Sequence, residues 1–227
     1  MSNRLRPAVF TDLEGTLITC SFPQVYYDEA RALSLIPFSN QILHALFSSL
    51  AQPFSVKSRL GRALRYLAMA SVVRNVPVSA NHAIMQRVIP RLQVSLRTEL
   101  LTRIRHYEAQ GMSVIVLSAA SHLPLTLFTH SLGWRGEGTH FVVRNERYTG
   151  RADKPLTGEE KAARARSLAV ELGIDLKQSI GFGDTVADVP FLCLLNQVTV
   201  VHPDRELRQI AITNGWDILE NRSSSKN

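Results

Sequence analysis

Residues 8–17 read AVFTDLEGTL, a short apolar run that breaks off at Asp12 into a tight loop carrying Glu14, Gly15 and Thr16. A run this short, with Val and Phe in it, fits a buried strand better than a helix. Three later segments repeat the arrangement of a structured element that stops at a reactive side chain. Residues 113–118, SVIVLS, form a second β-type run ending in the Ser118 hydroxyl, and Ala119 and Ala120 follow with backbone amides that can nest an anion. Residues 157–161, TGEEK, open a helical pattern with Lys161 in the first turn, where the helix dipole disfavours a cation. A third β-type run starts at Ser179 and ends at Gly183 and Asp184, with Asp188 four residues later on the same side of a helical turn.

Taken singly, each residue has a plain structural reading: Ser118 as a strand-end cap, Lys161 as a surface lysine, Asp184 as a helix cap. Taken in this order, all at strand ends or helix starts, they predict one crevice, because an open parallel α/β sheet gathers its ligands beyond the carboxyl ends of its strands. Asp12, Asp184 and Asp188 then offer hard oxygen ligands suited to Mg²⁺. Asp12 can also attack phosphorus and carry an aspartyl phosphate. The charge of a transferring phosphoryl group would be met by the metal, Lys161, the Ser118 hydroxyl and the loop amides at Gly15, Thr16 and Ala119. Glu14 is placed to protonate the leaving alkoxide and then to deprotonate the incoming water.

With those segments in view, the chain resembles the haloacid dehalogenase (HAD) superfamily of phosphohydrolases, and within it the phosphoserine-phosphatase-like subfamily IB. The resemblance rests on TDLEGTL, VLSAAS, GEEKAARA and GFGDTVADVPFL, with further likeness at RYTGR and at VVHPDRELRQIAITNGWDIL. It implies Asp12 as nucleophile and metal ligand, the Glu14 backbone carbonyl as a second ligand and Asp184 as a third. Asp188 would hold a metal-bound water or orient Lys161. Glu14 stands where the family's commonest pattern has aspartate, which moves the proton by about one methylene (~1.5 Å). Two activities are open on this reading: a phosphomonoester phosphatase, or a non-catalytic module that keeps the crevice and binds phosphate or anionic lipid without turnover.

Alternation of strand and helix predicts a doubly wound, Rossmann-like parallel sheet with right-handed crossovers. Helices are expected at 98–110, 123–132, 161–172, near 188–196 and at 204–214. Strands are expected at 113–118, 179–182, 198–201 and 216–219, and a short strand pair within 139–151. The core would comprise residues 1–19 and 99–227, and residues 20–98 a small helical cap inserted after the first strand. With 227 residues, 45% of them hydrophobic, the chain can bury one sizeable core and such an accessory unit. Cys20 and Cys193 have no metal spacing and read as reduced thiols, MSNRLRPAVF contains no signal-peptide apolar region, and RSSSKN reads as a frayed polar tail. The expected location is cytoplasmic.

The insert carries the charge. Residues 30–98 contain nine Lys or Arg and no Asp or Glu, whereas the whole chain is only +7. Leu60, Leu64, Leu67 and Ser71 or Val72 follow helical spacing, and Arg59, Arg62 and Arg65 recur every three residues. A basic helical cap of this kind suits a small or lipid-linked phosphomonoester substrate, with possible peripheral contact with an anionic membrane. No aromatic stacking platform accompanies the charge, so nucleic acid is not an expected partner. Phosphoserine is disfavoured as the substrate, since the six residues TCSFPQ after the first motif offer no acid for its amino group. Oligomeric state is not legible.

Overall fold

The apolar runs pair into one six-stranded parallel sheet in the order β3-β2-β1-β6-β7-β8. The strands are β3 (Arg135–Thr139), β2 (Ser113–Ser121), β1 (Ala8–Thr11), β6 (Ile180–Gly183), β7 (Gln197–Val201) and β8 (Asp217–Leu219). The computed structural model describes residues 5–54, 59–152 and 154–220, and the side chains of all of these except Arg59 and Arg62. The RSSSKN tail and Lys57 lie outside the described residues.

Both faces of the sheet are covered, which is why its central strands are apolar throughout rather than alternating with polar residues. Ala8 and Phe10 of β1, with Ile115 and Leu117 of β2, pack toward α7 (Glu159–Leu172), α8 (Val189–Leu192) and α9 (Arg205–Asn214). Val9, Val114, Val116, Ile180 and Phe182 face the other way, toward α5 (Thr98–Ala109) and α6 (His122–His130). From β1 the chain winds outward through β2 to β3, then returns to β6 on the opposite flank and winds outward again to β8. The reversal lies between β1 and β6, and Asp12 N–H reaches across it to the Phe182 carbonyl (3.0 Å). This is the doubly wound parallel α/β fold that the alternation predicts.

Three local differences have physical causes. β3, RGEGT, is a sheet strand outside the expected set, because two glycines and two charges hide it. A Cβ at Gly136 would stand 2.5 Å from Thr129 Oγ1 of α6, so the helix can sit on this strand only where there is no side chain. β2 runs three residues past Ser118, to Ser121, with a register irregularity between Leu117 and Ser121. The helix expected near 188–196 is only Val189–Leu192, preceded by a 3-10 turn at Val186–Asp188.

Between β1 and α5 lie four helices: α1 (Phe22–Ala32), α2 (Phe38–Ala51), α3 (Arg59–Val73) and α4 (Ala80–Val94). The two connections to the sheet run side by side, joined by Arg97 N–H to the Leu17 carbonyl (2.9 Å) and Thr19 N–H to the Ser95 carbonyl (3.0 Å). A hairpin from the second half of the chain, β4 (Phe141–Arg144) with β5 (Arg147–Ala152), docks on these helices. Asn75 N–H bonds the Tyr148 carbonyl at 2.8 Å, and Ala152 N–H bonds the Tyr66 hydroxyl at 2.8 Å. Buried Asn81 links the Tyr26 and Tyr148 hydroxyls (2.8 and 3.1 Å). The expected strand pair therefore exists, and it completes the helical insert.

Candidate active site

Asp12 follows the last residue of β1, and Asp184 the last of β6, so the turn from strand to loop delivers both carboxylates to the sheet's reversal point. Asp188 reaches the same place from the 3-10 turn. One oxygen of each of the three lies within 4.8 Å of the others. Two glycines make this approach possible. Gly15 has φ +79°, and a Cβ there would run into the Asp184 carboxylate. A Cβ at Gly183 would come within 2.8 Å of the Asp188 Cβ.

Lys161, in the first turn of α7, is buried between two of the acids. Its Nζ lies 2.5 Å from Asp12 Oδ1 and 2.7 Å from Asp188 Oδ1. Burial works against the ammonium charge, but the Asp12 and Asp188 carboxylates outweigh it and hold Lys161 protonated more firmly than an ordinary lysine. The other Asp188 oxygen accepts from the N–H groups of Asp184 (3.2 Å) and Thr185 (3.1 Å). With both oxygens engaged, Asp188 braces Lys161 and the loop after β6.

The Thr16 hydroxyl is fully buried, 3.2 Å from Asp12 Oδ2 and 3.0 Å from Asp184 Oδ1, and donates to one of them at a time. Ser118 is buried, and its Oγ accepts from the Ala120 N–H at 3.1 Å, which curls the loop after β2 around the hydroxyl. The Ala119 carbonyl is held by Thr139 Oγ1 at 2.7 Å, and Thr139 Oγ1 also accepts from Leu156 N–H (3.0 Å). Glu14 points toward the insert and accepts the Phe22 N–H at 2.9 Å. Burial, and next the Asp12 charge, push its carboxyl up to about 7.

Burial, and then the charges of Asp12 and Asp188, push Asp184 up to about 8. Three crowded carboxylates with one ammonium among them are short of positive charge, and hard oxygen donors at this spacing suit a small divalent cation. A second cluster, His122, Glu137 and His140, has ligand atoms equally close together. It is the poorer cation site, because Arg135 Nε (2.7 Å) and Arg164 Nε (3.0 Å) already hold the Glu137 carboxylate. Burial opposes the Glu137 charge, yet those two arginines keep its carboxyl below the ordinary glutamate range.

Asp12, Gly15, Thr16, Lys161, Asp184 and Asp188 thus meet around one crevice, Glu14 turns from it toward the insert, and Ser118 and Ala119 lie on β2, the strand next to β1. Two neighbours carry no motif. Arg97, one of the insert's nine cations, sends Nε to the Gly15 carbonyl (3.2 Å), steadying the loop after β1 from the far end of the insert. Thr139 ties the loops after β2 and β3 together. Neither has a signal in the sequence, because each acts through a backbone group distant along the chain.

A family model described as haloacid dehalogenase-like hydrolase matches residues 9–192. A probable phosphatase of Mycobacterium tuberculosis is 25% identical over 221 residues, covering 95% of this chain and 76% of its own length. A crystal structure of a protein of unknown function from Bordetella pertussis superposes with TM-score 0.78 at 19% identity, covering 95% of this chain and 99% of that one. A phosphoserine phosphatase captured as an analogue of its phospho-aspartyl intermediate superposes with TM-score 0.64 at 16% identity, covering 95% and 93%.

Proposed function

The chain belongs to the haloacid dehalogenase-like hydrolase family, and on that footing we propose that it is a magnesium-dependent phosphomonoester phosphatase working through an aspartyl phosphate on Asp12. The observation that carries this reading is a pair of carboxyl groups two residues apart, one bonded to a buried ammonium and the other not. Burial pushes the Asp12 carboxyl above the ordinary aspartate range, Lys161 at 2.5 Å opposes that rise, and Glu14 is pushed to about 7. A carboxyl paired with an ammonium, next to a group that can both give and take a proton near neutrality, is what a two-step phosphoryl transfer needs.

In the first step an Asp12 oxygen forms a bond to phosphorus while the ester oxygen leaves and takes the Glu14 proton. In the second, Glu14 removes a proton from water, the water oxygen bonds phosphorus, and the Asp12 carboxylate is released. The proton lost in the first step is recovered in the second, so the enzyme returns to its starting state. Lys161, the Ser118 hydroxyl and the backbone amides at Thr16 and Ala119 hold the phosphoryl oxygens, and the Thr16 hydroxyl positions the acids; the Gly15 N–H, expected from sequence to join them, donates instead to the Ile18 carbonyl (3.0 Å). Asp12, Asp184 and the Glu14 backbone carbonyl are the residues that would hold Mg²⁺, with Asp188 behind them. When bound, the ion supplies positive charge at the transferring phosphoryl group.

Residues 20–98 act in this reading as the cap that selects the alcohol. A small void of about 20 Å³, room for about one water, is lined by Phe22, Tyr26, Met69, Val72 and Val73, with Ser121 at its core side. Phe22 is the residue whose amide holds Glu14, so this void lies on the insert side of that acid.

The reading is tested by phosphate release from a panel of phosphomonoesters with Mg²⁺ or with EDTA. Metal-dependent release is the expected result, and silence from folded protein across the panel would favour a non-catalytic binding module. Glu14→Gln should slow turnover by about 10²- to 10⁴-fold, the usual scale of general acid–base catalysis. An unchanged rate would assign the proton to water. Mg²⁺ should also raise the melting temperature, since at about 100 times its Kd a ligand adds roughly 2.7 kcal/mol, or about 5 °C or more for a chain of this size. Asp184→Asn should remove most of that shift, and a full shift in the variant would mean that Asp184 is not a ligand.

A further inference from the structure

Thr139 ends β3 at a point where three stretches of chain meet. It is 1% exposed, and its hydroxyl both gives and takes a hydrogen bond. Oγ1–H donates to the Ala119 carbonyl at 2.7 Å, and Oγ1 accepts from the Leu156 N–H at 3.0 Å. Ala119 lies in the irregular end of β2, next to Ser118, and Leu156 in the segment that leads into α7 and Lys161. The β4–β5 hairpin, which docks on the insert, begins after Thr139 and ends before Leu156. The hydroxyl therefore closes the base of that hairpin while it holds the Ala119 carbonyl. Close packing at this point is also specified next door. A Cβ at Gly138 would stand 2.5 Å from the Ala120 carbonyl oxygen, so β3 can come this near to the end of β2 only where there is no side chain.

The bond to Ala119 fixes one peptide unit. The Ala119 carbonyl and the Ala120 N–H belong to the same plane and point in opposite directions. That N–H lies on Ser118 Oγ at 3.1 Å and that carbonyl on Thr139 Oγ1, so the unit is clamped at both ends. Ser118 is only 2% exposed, and its oxygen takes the Ala120 N–H, which leaves its proton without an acceptor among the described residues. A buried donor with no protein partner calls for an explanation, and a phosphoryl oxygen supplies one. We propose that Thr139 is a positioning residue of the phosphoryl site. Through the Ala119–Ala120 peptide it sets the direction in which Ser118 presents its O–H, and through Leu156 it keeps the start of α7, with Lys161, in register with that donor. The proposal rests on the reading of Ser118 and Lys161 as groups that hold the phosphoryl oxygens. The Thr139 hydroxyl itself bonds only backbone groups.

Thr139→Val removes the hydroxyl and keeps the branched shape, whereas Thr139→Ser keeps the hydroxyl and removes a methyl. Two quantities are read on the full chain in Mg²⁺: the affinity for inorganic phosphate, from the rise in melting temperature with phosphate concentration, and kcat/KM on the best ester of the panel. Thr139→Val should lower both by about 10- to 100-fold, the scale on which a small misplacement of binding groups is felt. Thr139→Ser should recover most of each loss. The rise in melting temperature caused by Mg²⁺ alone should survive in both variants, because Asp12 and Asp184 lie outside this set of bonds; its disappearance would place the effect at the metal ligands and overturn the proposal. Should Thr139→Val fail to fold, Thr139→Cys takes its place with an intermediate loss expected, since a thiol is a weak donor and a weak acceptor. Wild-type affinity and turnover in Thr139→Val would overturn the proposal and leave the phosphatase reading standing. A loss in Thr139→Ser as large as in Thr139→Val would overturn it too, by making the methyl the contact that counts. A wild type that binds phosphate and hydrolyses nothing would remove the phosphatase reading, and the proposal would then stand or fall on phosphate affinity alone. A wild type that does neither would overturn both.

Discussion

Asp12→Asn is expected to lower phosphate release by at least about 10⁴-fold, the scale on which enzymes lose rate when a covalent nucleophile is removed. The carboxamide keeps the shape of the side chain, and its oxygen can still accept from Lys161 Nζ. The buried ammonium also keeps Asp188 at 2.7 Å, so the fold should be nearly as stable as before. What disappears is the charge that attacks phosphorus. A companion measurement separates this cause from a lost metal ligand. Acid-quenched wild-type protein taken during turnover should carry an acyl phosphate that hydroxylamine releases, and the Asp12→Asn protein should carry none. Turnover of the variant within about tenfold of wild type, well inside that scale, would sink the covalent mechanism whatever its effect on metal binding.

The reason Asp12 could be picked out from sequence lies in the sheet. A parallel strand buried on both faces must be apolar along its length, so the first polar residue after it is conspicuous, and the reversal between β1 and β6 forces two such residues together. Asp184 was legible on the same ground, and Lys161 because a cation in the first turn of a helix works against the helix dipole. The division of labour among them was not. From spacing alone Asp188 reads as one more metal ligand; the loop geometry spends one of its oxygens on Lys161, the orienting role the family resemblance implied, and the other on two backbone amides. Thr16 reads as part of a phosphate loop, but its hydroxyl is turned toward Asp12 and Asp184. These differences turn on rotations of a few ångströms that no spacing rule encodes. The strand β3 was hidden for another reason. It buries Glu137, which is tolerable only because Arg164 arrives from α7 to join Arg135, and its glycines answer to the approach of α6. Such partners are distant in sequence and leave no local pattern. In the insert, periodicity announced a helix at α3 but not which side faces solvent, because Leu60 and Leu67, which are exposed, are as apolar as a core.

Lys161→Met should destabilise the protein by about 3–5 kcal/mol, the usual cost of removing one member of a buried ion pair, which for a chain of this size is a fall in melting temperature of roughly 10 °C. Methionine nearly preserves the volume, so a cavity contributes little to the loss. What remains is two buried carboxylates, Asp12 and Asp188, that have lost the ammonium at 2.5 and 2.7 Å. Burial already holds the Asp12 carboxyl above its ordinary range with the ammonium in place, and loss of that cation should raise it further. A carboxyl whose folded pKa is raised above its unfolded value makes stability fall as pH rises above the unfolded value. The deficit of the variant relative to wild type should therefore be larger at pH 8 than at pH 5, as read by urea denaturation in EDTA at each pH. Mg²⁺ should restore part of the stability at pH 8, because a cation held by Asp12 and Asp184 supplies some of the positive charge the substitution removes. Turnover should stay strongly depressed even then, since the ion does not replace the ammonium that faces the phosphoryl oxygens. A deficit independent of pH would mean that Lys161 stabilises the fold through packing, including its contact with the Phe191 ring at 5.6 Å, rather than through the charge it places between two acids.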